Sequence, residues 1–359
     1  MHLFPAIVLI STLPALGAGY APRPDLDAGH YLKALADAEA MIKEQPGNAL
    51  AWAAKSQALT ALVRLPEAMA AADRAVELQP NLADARLARG LALGGAAVKQ
   101  KSFGSLAKVS RAMDELRAAV KADPTLVTAW MSLGLAYEQL PGILGGSSSQ
   151  ALACAESLKK VNSPRGEVLQ GTILSLQGKW PEALPCFNRA LAAAPGDPEV
   201  IYGYLEALGS RETRKVLGDE PQKRLQAQEA LRLLPGAQNR ARALTAICDA
   251  LLDADQGEQA WRIAQTAVAT SDSASMLRLQ MGKISARSGL HQEEGLAALD
   301  QVLREPLEGG TGGYGSAYWR RGQVLKTLGR KDEARASANA ALRLDPKDSK
   351  AQGLLKDLR

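Results

Sequence analysis

The chain has 359 residues, with 43 basic and 38 acidic side chains giving a formal net charge of +5, and only 4% of its residues are aromatic. The charges are scattered without a block of five or six alike, so the mild basicity is too diffuse to indicate nucleic acid as a partner. Three cysteines, at 154, 186 and 248, do not make a disulfide framework, and three histidines, at 2, 30 and 291, cannot make a His-rich metal site. Ala and Leu recur at helical spacing without a convincing strand pattern, which makes the chain all-α.

Residues 1–19, MHLFPAIVLISTLPALGAG, hold an apolar run from Leu3 to Leu16 followed by small residues. The run is short for a membrane span of about 20 residues and is interrupted by Pro5 and Pro14. A secretory signal peptide is expected, placing the protein in the periplasm or outside the cell, with an uncleaved N-terminal anchor as the alternative. Residues 20–48 follow as a Pro-containing linker, Ala21 to Asp27, and a helix from Gly29 to Lys43 that ends before Pro46. That helix is half of a hairpin and caps one end of the array, where no neighbour covers an apolar face.

From residue 49 the sequence repeats. Helical hairpins are expected over 49–82, 83–126, 127–163, 164–197, 198–237, 241–274, 275–307 and 315–348, before a polar closing helix within 349–359. The third from the N-terminus is interrupted by Leu140-Pro-Gly-Ile-Leu-Gly-Gly-Ser-Ser-Ser, whose Ile143 and Leu144 either tuck back over the helix edge or form an exposed contact. Extra residues also fall around Lys99 to Leu106 and near Arg211 to Asp219, at hairpin tips, where added length costs little. Lys99, Lys101, Lys108 and Arg111 form a basic cluster, a solvated face or an anion-binding patch.

The most regular stretch runs from Pro164 to Pro195, with Gly171 in its first helix, a turn at Gly178-Lys179-Trp180, then Ala183, Phe187 and Ala190. Gly171 and Ala183 allow the helices to approach, and Phe187 lies on the same face as Ala183. Gly90, Gly134, Gly282 and Gly322 repeat the first of these positions, while Gly178, Gly289 and Gly329 mark first-helix ends that favour a left-handed residue. Spacing and residue types resemble the tetratricopeptide repeat, whose period of about 34 residues includes an Ala-x-x-x-Phe pair and a late Pro. The resemblance implies an α-solenoid, a right-handed superhelix of helical hairpins. Pro141 to Gly146, the run from Gly282 to Leu299, and Tyr318 to Pro346 also resemble a group of exported bacterial tetratricopeptide proteins, which supplies no catalytic residue set.

No His-Glu-x-x-His or Cys-x-x-Cys occurs, and the Gly309 to Gly315 linker lacks the Lys-Ser/Thr of a phosphate-binding loop, so neither an enzyme nor a cofactor is expected. Function is expected to lie in shape: a concave groove lined by the first helix of each hairpin that receives a protein or peptide partner. By register the groove positions are Gln57, Leu87, Leu91, Met131, Leu135, Val168, Thr172, Tyr202, Glu206, Trp319, Gln323 and Lys326, apolar in the middle and polar at the ends. Each apolar member could instead pack against neighbouring hairpins. Leu and Met at the places where some tetratricopeptide domains carry carboxylate-clamping Lys and Asn argue against that clamp. A small apolar, lipid-like ligand inside the superhelix is the alternative to a peptide.

Overall fold

Burying apolar stripes spaced three and four residues apart drives this chain into paired helices, and every regular element among the described residues is helical. The computed structural model describes residues 25–26, 29–100, 105–307 and 313–359; residues 1–19, which are expected to direct export, Lys101, the tip of the 99–106 insertion and the linker residues 308–312 lie outside them. Two compact units result, one ending at Ala194 and the other beginning at Pro195. Among the described residues no helix is long and apolar enough to cross a membrane.

The first unit contains α1 (Tyr31–Glu44), α2 (Ala49–Ala61), α3 (Leu65–Leu78), α4 (Ala83–Gln100), α5 (Ser105–Ala122), α6 (Val127–Gln139), α7 (Ser148–Val161), α8 (Ser163–Leu176) and α9 (Trp180–Ala193), with a single 3-10 turn at Gly142–Leu144. Asn48, Ser147 and Asn162 cap α2, α7 and α8 by accepting from backbone N–H groups of the first turn. Leu26, assigned to the linker by sequence, is fully buried in one cluster with Tyr31, Leu35 and Leu59, and Asp25 pairs with Lys33 at 2.9 Å. The length added around residue 100 lies largely in helix: α4 and α5 each run 18 residues where α2 and α3 run 13 and 14. In the interruption after α6, Ile143 is 92% exposed and Leu144 half-buried.

The second unit contains α10 (Pro198–Leu208), α11 (Arg211–Leu217), α12 (Asp219–Ala237), α13 (Ala241–Asp253), α14 (Gly257–Ala267), α15 (Ala274–Ser288), α16 (Gln292–Arg304), α17 (Gly313–Thr327), α18 (Lys331–Leu344) and α19 (Ser349–Asp357). The polar insertion at Arg211 folds as its own short helix because Ser210 caps it and Gln222, fully buried on α12, donates to the carbonyls of Leu208 and Ser210. The closing helix is polar only outward, since Leu354 and Leu358 join Leu299, Val324 and Leu325 in one core.

Close approach explains the repeated glycines. A Cβ on Gly171 would lie 2.9 Å from the Phe187 ring, and one on Gly282 would lie 2.3 Å from Leu299, both on the second helix of the same hairpin. Gly178, Gly289 and Gly329 adopt φ of 73, 76 and 76°, the left-handed values that end a helix. Two residues past the end of α2, in the place that Gly178 takes after α8, Val63 adopts φ 61°. Cys154, Cys186 and Cys248 are buried free thiols.

Candidate binding face

The first helices of successive hairpins lie side by side, α10 against α13, α13 against α15 and α15 against α17 in the second unit. A second helix buries one stripe. A first helix is flanked on three sides and buries nearly its whole girth, as α8 does from Arg165 to Ser175. The surface left open along such a row is therefore narrow.

That geometry sorts the twelve positions expected to line a groove. Gln57, Leu87, Met131, Leu135 and Val168 are buried, and neither amide atom of Gln57 finds a hydrogen-bond partner. Packing in the first unit covers the apolar middle expected from register, because counting along one hairpin ignores the neighbouring first helix. Leu91, Thr172, Tyr202, Trp319 and Gln323 are half-buried, while Glu206 and Lys326 are exposed. Thr172 bonds back to the carbonyl of Val168 at 2.8 Å. Trp319 and Lys326 turn toward the closing helix, where Lys350 sits 4.8 Å from the Trp319 ring and Asp357 pairs with Lys326 at 2.8 Å.

Tyr202 and Glu206 are the two that the fold gathers into a cluster, together with residues that register counting missed. From α13, Arg242 lies 4.1 Å from the Tyr202 ring centre and pairs with the buried Glu199 of α10. Also on α13, Asp249 accepts from Gln280 and from Lys283 of α15, both at 2.6 Å. One turn along, Asp253 pairs with Arg287 at 2.7 Å. Arg320 of α17 stands in the fields of Asp249 and Arg287, bonds Ser316 of its own helix, and has no carboxylate partner among the described residues.

Burial acts strongly on the charged and phenolic groups of this face. Glu206 is exposed, yet burial by surrounding protein raises its carboxyl above the usual range, the charge of Asp249 adds to the rise, and a hydrogen bond from the Tyr202 hydroxyl opposes it. Burial likewise pushes the Tyr202 phenol up and the Arg320 guanidinium down. A partly desolvated surface favours a ligand that replaces lost water with hydrogen bonds and opposite charge.

A sequence signal for this cluster existed. Asp249 and Lys283 are one repeat period apart, as are Asp253 and Arg287, so opposite charges at equivalent places in successive hairpins mark the ladder. Among the described residues, no group of three or more His, Cys, Asp or Glu is placed to hold a metal ion.

Models of the tetratricopeptide repeat match residues 25–83 and 315–348. No curated protein matches the chain. Similar solved structures include the Cut9–Hcn1 hetero-tetramer of APC/C (14% identity, TM-score 0.43, covering 92% of this chain), yeast Tom70 (12%, 0.47, 94% of this chain and 79% of that one) and PilF of Pseudomonas aeruginosa (16%, 0.41, 66% and 98%). The chain spans 53% of the Cut9–Hcn1 chain it matches. Tetratricopeptide-repeat models thus match near both ends of the chain, and the described residues between them form the same paired helices, an all-α solenoid.

Proposed function

We propose that this chain is a non-enzymatic scaffold that holds a peptide or protein segment on the first-helix face of its second unit. The observation that carries this reading is the placement of Tyr202, Glu206, Asp249, Lys283 and Arg320 on four successive first helices that lie side by side, on one partly desolvated surface. The sequence of residues 1–19 adds an address: the partner is a protein of the periplasm or envelope. Leu87, Met131, Leu135 and Val168 are taken up by packing, which leaves charged and aromatic groups on the face and favours a peptide over a lipid-like ligand.

The test is capture of envelope proteins by the purified full-length chain, compared with a Gln280→Ala/Lys283→Ala variant. The variant is expected to lose specific partners while keeping its helical circular dichroism. Retention of every partner by a folded variant rejects the face as the binding surface.

A further inference from the structure

Four acids, Glu199, Glu206, Asp249 and Asp253, and four bases, Arg242, Lys283, Arg287 and Arg320, lie along the second unit's row of first helices, beside Arg278, Arg321 and Lys326, which pair with Glu305, Asp300 and Asp357. Three couples are closed within the protein: Glu199 with Arg242, Asp249 with Lys283, and Asp253 with Arg287. Among the described residues, one carboxylate and one guanidinium of these eight remain without an ion pair. Glu206, on the first helix of the row, is bonded by the Tyr202 hydroxyl and feels the charges of Lys283 and Arg242 from beyond ion-pair distance; Arg320, on the last, meets the Ser316 hydroxyl and the Trp319 ring, whose centre is 5.6 Å away.

We propose that this face takes an extended peptide segment bearing one cation, which meets Glu206, and one carboxylate, which meets Arg320. The proposal rests on reading the face as a binding surface and names its partner's chemistry. A neutral or apolar occupant would strip water from both residual charges and return nothing, whereas a segment of matching charge replaces that water with charge-assisted hydrogen bonds. Glu206 bars the simplest alternative, an occupant that is only anionic, because its carboxylate repels one. Four adjacent helices present three spacings of about 8–10 Å, and an extended chain advances about 3.3 Å per residue. The two charges of the partner are therefore about seven to nine residues apart.

Fluorescence-polarisation titration of the full chain with short peptide libraries tests this. The libraries are randomised over neutral residues, with Lys and Asp fixed about eight residues apart, or Lys alone, Asp alone, or neither. The two-charge library is expected to bind most tightly. Arg320→Gln should weaken binding of the two-charge and Asp libraries by about tenfold and spare the Lys library, Glu206→Gln should do the reverse, and Arg320→Lys should restore part of the loss. Thermal melts confirm that each variant is folded. Equal binding of the neutral library, variant effects indifferent to library charge, or no binding by any library overturns the proposal. Loss of envelope partners by the Gln280→Ala/Lys283→Ala variant, alongside any of those results, rejects the charge rule and leaves the face as the binding surface.

Discussion

The indole N–H of Trp130 donates to the carbonyl oxygen of Pro124 at 2.9 Å. The same reach of six residues joins Trp52 to Pro46 and Gln352 to Pro346, each at 2.9 Å, and Arg86 to Pro80 at 2.6 Å. An indole, an amide and a guanidinium serve equally, so the hairpin junction selects for a donor that reaches back over the turn. Each bond ties the entry of one first helix to the late proline of the hairpin before it. Trp130→Phe is expected to lower stability by about 1 kcal/mol, and Trp130→Gln to restore part of that, measured as midpoints of urea unfolding.

Val63 sits in a left-handed conformation that a β-branched residue adopts at a cost of about 1–2 kcal/mol, where Gly178 and Gly329 sit without strain. Val63→Gly is expected to stabilise the protein by roughly 0.5–1 kcal/mol after the entropy of glycine is deducted. Gly178→Val should destabilise it. Melting temperatures moving in the same direction for both variants would refute the equivalence of the two turns.

Gly282→Ala places a methyl group 2.3 Å from Leu299, far inside contact distance. Overpacking of this kind costs about 1–3 kcal/mol. Leu299→Ala should be harmful alone and less than additive with Gly282→Ala, because the cavity receives the added methyl; a double-mutant cycle gives the coupling.

The pH dependence has a defined sign. Glu167 of α8 accepts from Arg189 of α9 at 3.0 and 2.8 Å and faces Lys159 of α7 at 3.5 Å. Burial pushes its carboxyl up, yet the two cations outweigh burial and hold it below 4.5. A depressed acid contributes its full stability above the unfolded value and loses it as pH falls through the folded one. Melting temperature should therefore fall on acidification below about 4.5, and less steeply in Glu167→Gln, which is less stable at neutral pH.

Within a hairpin the sequence was informative, and between hairpins it was much less so. Gly171, Ala183 and Phe187 lie within one period and must meet once two helices fold back, so their contact followed from spacing. The left-handed turns at Gly178, Gly289 and Gly329 followed for the same reason. Met131 and Leu135 could line a groove or pack inward by register alone, and their burial depends on how a neighbouring hairpin is set against them. The short helix at Arg211 was missed because it has almost no apolar face, and its support comes from Gln222, eleven residues on. The cluster around Asp249 spans several hairpins, and only the one-period spacing of its charges betrays it.

The three thiols have a practical consequence. Burial pushes Cys154 up to about 12 and raises Cys186 and Cys248 as well, so the reactive thiolate is scarce at neutral pH and a reagent in solution meets it only after local opening. Cys154 on α7, Cys186 on α9 and Cys248 on α13 are thus three intrinsic clocks, two in the first unit and one in the second. The rate at which each accepts an alkylating label reads how often its own hairpin breathes, and a bound partner that steadies the second unit would slow the clock at Cys248 while the other two keep their pace.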